Sequence, residues 1–303
     1  MPQVESQNIS MLRQLWHFVV HLRWHYQLFI LSGGFLLGGF LSNDLDLQSF
    51  LIQFANVHLL LFGGATAYNS YWDNDEGPIG GLQNPPKMQP WMWDGSLILQ
   101  GIGLLVAAAQ GLLYSGIYVL SMLLFWLYST PLARWKSSPL KSLIAIGIST
   151  GFNSVLLGYL AAGNDVVGMP VWVASAGVTL MLLSLYPISQ IYQIEEDRSR
   201  GDRTFAVEYG KKGVTRFFIT AFLIGLILVS LAIGIADFWV AIFFGGTGLI
   251  VGLIVFVLLK GLSIKSEDYS KVMRIKYGTS MAFVLFLVAA IILKHSKMME
   301  YLT

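Results

Sequence analysis

Two acidic clusters carry the side chains of this sequence that are best suited to chemistry. The first contains Asn69, Asp73 and Asp75, and the second contains Glu196 and Asp197. Each cluster lies where a long apolar run gives way to polar sequence, and ionisable groups there are costly unless a polar cavity or a counter-ion compensates them. Two such clusters facing one cavity could hold divalent cations, which in turn attract polyphosphate.

The spacing within the clusters favours the same chemistry. On a helix, Asn69, Asp73 and position 77 lie one turn apart on one face, and Gln193, Asp197 and Gly201 repeat that spacing. Oxygen ligands in this arrangement suit Mg²⁺, which combines a few carboxylates with water and phosphate oxygens. One cluster alone is better explained as a solvated helix end, but two clusters in matching places favour a metal site.

Basic residues near the same surface extend the prediction to a phosphate-binding site. Arginine can grip phosphate with two parallel hydrogen bonds, whereas lysine acts as a point charge. The candidates follow apolar runs in polar segments: Lys87, Arg134, Lys136, Arg198 and Arg203. The alternative is that these residues only set the topology of the chain in a membrane.

Aromatic residues concentrate near both clusters. An interfacial aromatic belt explains most of them. We expect Tyr71, Tyr128 and Tyr192, which lie within the motifs, to line a cavity where their ring faces stabilise a carbocation. Such cation–π attraction contributes about 2 kcal/mol or more when water is excluded.

The composition indicates a polytopic membrane protein. Of the 303 residues, 55% are hydrophobic and only 12% are charged, compared with about 25% charged residues in soluble domains. The absence of cysteine excludes disulfides, thiolate metal sites and cysteine nucleophiles. No hydrophilic stretch is long enough for a separate soluble domain, so we expect residues 1–303 to form one membrane domain.

Hydropathy predicts nine membrane-spanning helices within residues 26–295, because a span needs roughly 20 mostly apolar residues. Residues 1–25 form an amphipathic N-terminal segment that suits an interfacial helix, and we expect it to be retained rather than cleaved. The predicted spans are 26–42, 50–71, 95–113, 116–133, 140–162, 170–192, 214–235, 238–259 and 277–295.

The distribution of lysine and arginine predicts the orientation of these spans. The N-terminus and the loops after spans 2, 4, 6 and 8, with the adjoining helix ends, hold 17 of the 19 basic residues. This positive-inside pattern places both acidic clusters on the cytoplasmic side of a cell (inner) membrane. Because the clusters end spans 2 and 6, we expect two four-helix halves around a central cavity, with a ninth helix added.

Taken in their order along the chain, the motifs resemble those of the UbiA-type intramembrane prenyltransferases over about residues 20–295. That family has two aspartate-rich motifs, Asn-Asp-x-x-Asp-x-x-x-Asp and Asp-x-x-x-Asp-x-x-x-Gly. The matching positions are Asn69 and Asp73 in the first motif, Asp197 and Gly201 in the second, and Tyr128, Pro131, Arg134 and Lys136 in a third signature. The departures are Ser70, Gly77 and Gln193, the last of which stands where an aspartate is usual.

The resemblance implies a Mg²⁺-dependent enzyme that transfers a prenyl group from an allylic prenyl diphosphate to a lipophilic acceptor, often an aromatic ring or a quinone precursor. It implies that Asp73 and Asp197 hold the metals with support from Asn69. The neutral Gln193 amide lacks a charge that either Glu196 or Glu195 would have to supply. It further implies that the positive charges of Lys136, Arg134 and Arg198 neutralise the leaving diphosphate. The implied substrate contacts come from Gln190, Gln193, Tyr71, Tyr128, Tyr192, Lys87 and Arg203.

Three other functions stay open from the sequence. One is a UbiA-related terpene cyclase, in which an internal double bond captures the cation. The others are a secondary transporter and a non-catalytic protein that retains a prenyl-lipid cavity. Transporter sites usually lie near the bilayer midplane, whereas these clusters lie at its cytoplasmic edge. We expect the lipid bilayer, and no nucleic acid, as a partner.

Overall fold

The chain is built from helices. A computed structural model describes residues 10–74, 77–263 and 266–302, and within these ranges it contains no β-strand, only an isolated bridge between Ile79 and Leu82. Asp75, a predicted metal ligand, lies outside the described residues. An N-terminal helix, α1 (Met11–Leu22), precedes all of the predicted spans.

Eight described helices are long and apolar enough to cross a membrane. They coincide in position with predicted spans 2 to 9, in agreement with an all-α membrane protein. They are α2 (Leu47–Asp73), α3 (Trp91–Ala108), α4 (Leu112–Ser129), α5 (Pro139–Ala161), α6 (Met169–Ser199), α7 (Phe205–Ala236), α8 (Phe238–Lys260) and α9 (Tyr269–Leu302).

The first predicted span, 26–42, is broken in the structure. It consists of short pieces at Trp24–Tyr26, Gln27–Leu31 and Gly33–Leu41, none of which reaches the length of a span. We call residues 24–41 the broken segment. It packs closely on α5, since a Cβ atom at Gly158 would lie 1.9 Å from the Phe35 carbonyl oxygen. Small residues allow such close approach between membrane helices.

One face of helix α1 packs against other helices, and the opposite face is exposed. Ser10 caps it by accepting a hydrogen bond from Arg13 N at 3.4 Å. Its buried residues Phe18 and Leu22 pack against the first turn of α3 and the end of α2. Its opposite face exposes large apolar side chains, which include Trp16. Helix α1 is therefore docked on α3 and on α2, which carries the first acidic cluster, and its place in the membrane interface stays a prediction.

Three π-helical turns and one 3₁₀ segment interrupt otherwise regular helices. The π turns span Gln27–Leu31, Asn56–Phe62 in α2, and Gly147–Phe152 in α5, and the 3₁₀ segment spans Pro187–Gln193 in α6. Such irregular turns change the direction of the side chains that follow and are frequent at functional sites. All four segments contribute residues to one internal cavity.

Candidate active site

A cavity of about 240 Å³ lies between the broken segment and helices α2, α4, α5, α6 and α9. Its polar lining includes Arg23, Gln27, Asn69, Asp73, Gln193 and Lys276. Its apolar lining includes Ile30, Leu31, Phe62, Phe125, Leu182 and Leu185. A cavity with charged groups on one part of its wall and an apolar remainder suits an amphiphilic ligand.

Helix α2 positions the first motif. Asn69 Nδ2 donates a hydrogen bond to Asp73 Oδ2 at 2.8 Å, and Ser129 Oγ donates to Asn69 Oδ1 at 2.9 Å. The helix ends at Asp73 because Asn74 adopts a left-handed conformation with φ 47°. Position 77 is therefore not on the helical face that the spacing predicted, but Asn69 and Asp73 are.

Lys136 is the cation that faces the first motif. It lies in a short 3₁₀ helix, Trp135–Ser137, is 8% exposed, and forms an ion pair with Asp73 through Nζ and Oδ1. Burial lowers the pKa of Lys136 to about 8, and the nearby carboxylates of Asp202 and Asp197 partly oppose this shift. The structure thus brings together the predicted metal ligand and the predicted leaving-group cation.

Arg134 joins the loop after α4 to the loop after α6. Its Nε and Nη2 atoms donate to the two carboxylate oxygens of Asp202 at 3.0 and 2.9 Å. Arg203 N also donates to Ser137 O at 3.0 Å. Arg134 adopts φ 40°, an uncommon conformation for a residue with a side chain. The bidentate ion pair holds the segment that presents Lys136.

The 3₁₀ segment Pro187–Gln193 lies at the cavity and precedes Asp197, which is not itself part of the cavity lining. Gln193 lines the cavity and donates from Nε2 to Pro78 O at 3.5 Å. Asp197 follows in the last turn of α6 and accepts a hydrogen bond from Thr204 Oγ1 at 3.0 Å. That helix ends at Ser199, and Gly201 has φ 76°, so the predicted helical face from Gln193 to Gly201 is wrong at its last position.

Glu196 connects the second cluster to the loop after α2. Its Oε1 accepts a hydrogen bond from Arg200 Nη2 at 2.5 Å. A Cβ atom at Gly77 would lie 3.4 Å from Glu196 Oε2. The loop after α2 therefore lies against the second cluster.

Two of the three predicted aromatic residues line the cavity. The hydroxyl groups of Tyr128 and Tyr186 are 2.9 Å apart, and both residues face the cavity. Tyr192 is 5% exposed and packs edge-on against Tyr269 with ring centroids 5.3 Å apart. Tyr71 does not line the cavity, because its ring packs against Trp72.

Four further candidates lie away from the cavity lining. Arg198 is exposed, and the guanidinium of Arg203 is bound to Glu208 at 2.9 to 3.1 Å. Lys87 is exposed beside a separate depression lined by His21, Ser70 and Asn74, among others. Gln190 is buried, and its Oε1 accepts a hydrogen bond from Ala206 N at 3.2 Å, so it supports the start of α7.

The structure also places in the cavity residues that the sequence motifs do not predict. Arg23 adopts φ 48°, and its guanidinium donates to Gly80 O, Thr66 O and Ser70 Oγ at 3.0 to 3.2 Å. Lys276, on α9, also lines the cavity. A signal for Lys276 was present, since it occupies the same helical stripe as the buried Val272 and Met273.

The donor set in the cavity is compatible with a divalent cation bound together with a substrate. Asp73 already pairs with a cationic group, and the amide side chains of Asn69 and Gln193 share the same wall. In the ranges that the structure describes, no group of three or more histidine, aspartate or glutamate side chains forms a metal cage. Mg²⁺ needs no such cage, because it retains water and takes phosphate oxygens as ligands.

Comparison with known protein families identifies the family of this chain. The UbiA prenyltransferase family model matches residues 28–279. The chain therefore belongs to the UbiA prenyltransferase family, which confirms the predicted family and supports the prediction that the protein is a prenyltransferase enzyme.

Individual relatives are more distant. A 2-acylphloroglucinol 4-prenyltransferase from Humulus lupulus is 30% identical over 132 residues, which cover 41% of this chain and 31% of that protein. The chain thus spans about a third of the length of the curated relatives it matches. A UbiA homolog from Archaeoglobus fulgidus bound to GPP and Mg²⁺ has a TM-score of 0.69 at 16% identity, covering 91% of this chain and 99% of that one. An apo UbiA homolog from Aeropyrum pernix K1 has a TM-score of 0.61 at 18% identity, covering 91% and 98%. These structural similarities establish the fold.

Proposed function

We propose that this protein transfers a prenyl group from an allylic prenyl diphosphate to a lipophilic acceptor, with Mg²⁺ as cofactor. The observation that carries the proposal is the cavity in which Asp73, Asn69 and Gln193 share an enclosed space with apolar side chains. A prenyl diphosphate has the matching character, with a highly charged head and an apolar tail. A similar fold binds GPP and Mg²⁺ in the Archaeoglobus fulgidus homolog.

Asp73, Asp197 and Asn69 are the residues that would hold the metal, with Glu196 and Asp75 as additional candidates. Bound Mg²⁺ would neutralise diphosphate charge and stabilise the leaving group. Lys136 lies at the same end of the cavity and would pair with the diphosphate oxygens. Arg134 acts through Asp202 by holding the segment that carries Lys136. Gln193, on the same wall, would orient the diphosphate.

The apolar part of the cavity protects the electrophile. Cleavage of the bond between the allylic carbon and oxygen leaves the electron pair on diphosphate and positive charge on the prenyl carbon. Phe62, Phe125, Tyr128 and Tyr192 line the space that the prenyl group would occupy. Their rings stabilise positive charge and exclude water, which would otherwise capture it. The acceptor then forms the new bond to the prenyl carbon and loses a proton.

We also propose that the whole chain forms one integral membrane domain with its site at the cytoplasmic face of the cell membrane. The basic residues of the N-terminus and of the loops near the cavity support this orientation. In this arrangement the broken segment contributes a ninth crossing, and the exposed apolar face of α1 lies in the membrane interface.

Acceptor-dependent turnover of the purified protein tests the proposed function. Allylic prenyl diphosphates of increasing length are incubated with Mg²⁺, with and without a panel of lipophilic aromatic acceptors, and products are identified by mass spectrometry. We expect prenylated acceptor, loss of turnover in Asp73→Asn and Asp197→Asn, and normal turnover in the exposed control Asp94→Asn. A cyclic hydrocarbon formed without acceptor would identify a terpene cyclase instead. Intact diphosphate in every mixture would contradict the proposal.

A further inference from the structure

Two tyrosine hydroxyl groups meet where the cavity lining changes from apolar to polar. On α4 the lining passes from Phe125 to Tyr128 and Ser129, and on α6 it passes from Leu185 to Tyr186. The hydroxyl oxygens of Tyr128 and Tyr186 are 2.9 Å apart. A prenyl diphosphate that follows this lining would place its allylic carbon–oxygen bond, which joins its apolar and charged parts, beside the tyrosine pair.

The neighbours of Tyr186 determine which hydroxyl group of the pair is the donor. The Tyr186 hydroxyl also forms hydrogen bonds with the side chains of Ser142 and Gln190. Ser142 Oγ donates its one hydrogen to Pro139 O at 2.9 Å, so it can only accept from Tyr186. The single hydrogen of Tyr186 is therefore used on Ser142, and the Tyr128 hydroxyl is the donor in the tyrosine pair.

Gln190 completes the hydrogen bonds of Tyr186. Its Oε1 accepts a hydrogen bond from Ala206 N at 3.2 Å, which leaves its amide hydrogens to donate to Tyr186. A hydroxyl group has one hydrogen and two acceptor positions. The Tyr186 hydroxyl therefore uses all three positions on its three side-chain neighbours, and these contacts hold it in one orientation.

This orientation determines what Tyr128 presents to a ligand in the cavity. Because its hydrogen is bound to Tyr186, the Tyr128 oxygen offers only its lone pairs. Lone pairs directed at an allylic cation form a fixed dipole, and dipoles that are oriented in advance stabilise charge that develops in a transition state. A Tyr128 hydroxyl that was free to rotate would also point its hydrogen at the cation, and part of the stabilisation would be lost.

We infer that Tyr186 is a positioning residue for the proposed reaction, because it holds the hydroxyl hydrogen of Tyr128 away from the allylic cation. The inference rests on the proposed function, since ionisation of a prenyl diphosphate creates the positive charge beside Tyr128. Tyr186 exerts this role through Tyr128, so the two residues act as one unit. Ser142 belongs to the same chain of hydrogen bonds, because it fixes the hydrogen of Tyr186.

A kinetic double-mutant cycle tests whether Tyr186 acts through Tyr128. The single-turnover rate of diphosphate release is measured on the purified full-length protein with geranyl diphosphate, Mg²⁺ and the acceptor panel. We expect Tyr186→Phe to lower this rate about tenfold, roughly the effect of one hydrogen-bonding group that acts on a charge. We expect Tyr128→Phe combined with Tyr186→Phe to lower the rate no further than Tyr128→Phe alone, since residues that act as a unit are not additive.

Binding and matched controls separate positioning from a structural role. Geranyl thiolodiphosphate, an analogue that ionises poorly, is expected to bind Tyr186→Phe within about twofold of wild type, because the cation is absent from the ground state. Ser142→Ala is expected to lower the single-turnover rate, because it releases the hydrogen of Tyr186. Two controls outside the cavity lining are expected to keep the wild-type rate within about twofold. They are Tyr118→Phe, at a buried tyrosine that donates to Asn56 Oδ1 at 3.4 Å, and Ser175→Ala, at a buried serine of α6.

Four kinetic or binding results would overturn the inference. They are additive losses in the tyrosine cycle, a wild-type rate in Tyr186→Phe or Ser142→Ala, an equal loss in Tyr118→Phe, and a tenfold loss of thiolodiphosphate binding in Tyr186→Phe. Each of these results leaves the proposed function intact if the wild-type protein still forms prenylated acceptor.

The direction of the hydrogen bond is measured without turnover. The resonance Raman doublet of a tyrosine ring differs in intensity ratio between a hydroxyl that donates and one that only accepts, and the spectrum of wild type minus that of Tyr128→Phe isolates Tyr128. We expect a donor signature for Tyr128 in the wild-type protein and its loss in Tyr186→Phe. A wild-type Tyr128 that only accepts would overturn the inference. If the donor signature is present but no allylic diphosphate is cleaved, the orientation of Tyr128 is confirmed and its role in prenyl transfer is overturned together with the proposed function.

Discussion

Asp73 forms a buried ion pair with Lys136, and we propose that it also binds the metal. A variant in which both residues are replaced distinguishes these two roles. The side chains of Asp73 and Lys136 are 9% and 10% exposed, so their ion pair is largely buried. Removing one partner of a buried pair leaves an uncompensated charge and costs about 3–5 kcal/mol, whereas replacing both partners with neutral groups is often nearly neutral. We therefore expect Asp73→Asn to lower the free energy of unfolding by about 3 kcal/mol. We expect Asp73→Asn combined with Lys136→Met to lie within about 1 kcal/mol of wild type.

Activity is expected to behave differently from stability in the same variants. If Asp73 holds the cation that binds diphosphate, neutralising it lowers turnover by at least about 100-fold, as the loss of a group acting in the transition state can do. Removing Lys136 as well cannot restore that role. Unfolding is measured in mixed micelles of a denaturing and a neutral detergent, and turnover by diphosphate release with Mg²⁺. A double variant that regains turnover together with stability would refute the metal-binding role of Asp73. A stable Asp73→Asn single variant would refute the buried ion pair.

Four further predictions concern the ligand and its pH dependence. Because the pKa of Lys136 is about 8, below its value of about 10.4 in an unfolded chain, the free enzyme loses this proton as pH rises through 8. We expect kcat/KM for prenyl diphosphate to fall about tenfold per pH unit above 8. Lys136→Arg is expected to remove this decline, and an unchanged decline in Lys136→Arg would contradict the assignment. Phe283 lines an apolar extension of about 50 Å³ that shares residues with the main cavity, so Phe283→Ala should favour longer prenyl diphosphates in competition assays, and Phe286→Ala, outside that lining, should not. Lys87→Ala should leave KM for prenyl diphosphate within twofold, since Lys87 is exposed beside a different depression; a large rise in KM would return it to the site. Gln193→Asp should raise turnover at low Mg²⁺ by adding a charged ligand, and a lower rate at all Mg²⁺ concentrations would show that the amide is required.

Much of the fold and part of the site could be predicted from the sequence. Long apolar runs determine where helices cross a membrane, so spans 2 to 9 lie close to their predicted positions. Asn69 and Asp73 meet as predicted because regular helical spacing holds through the end of α2. The first span could not be predicted in detail, because its interruption at Ser32 and its π turn have no clear signal in hydropathy.

The rest of the site depends on contacts between distant segments. Arg203 has the same sequence context as a phosphate ligand, but Glu208, one turn into α7, binds its guanidinium. Arg134 is held by Asp202, a partner that the sequence motifs do not predict. In sequence, Lys276 resembles a basic residue that sets topology, because a lysine near the end of a span looks the same whether it faces solvent or a cavity.

The central claim is that the ends of α2 and α6 hold a metal-bound diphosphate between them. The most direct measurement is a crystal structure of the protein with Mn²⁺ and geranyl thiolodiphosphate, in which anomalous scattering locates the metal. The predicted result is at least one Mn²⁺ within about 2.5 Å of a carboxylate oxygen of Asp73 or Asp197, with the diphosphate between the two motifs and near Lys136. A diphosphate bound beside Lys276, or Mn²⁺ without contact to either aspartate, would contradict the claim.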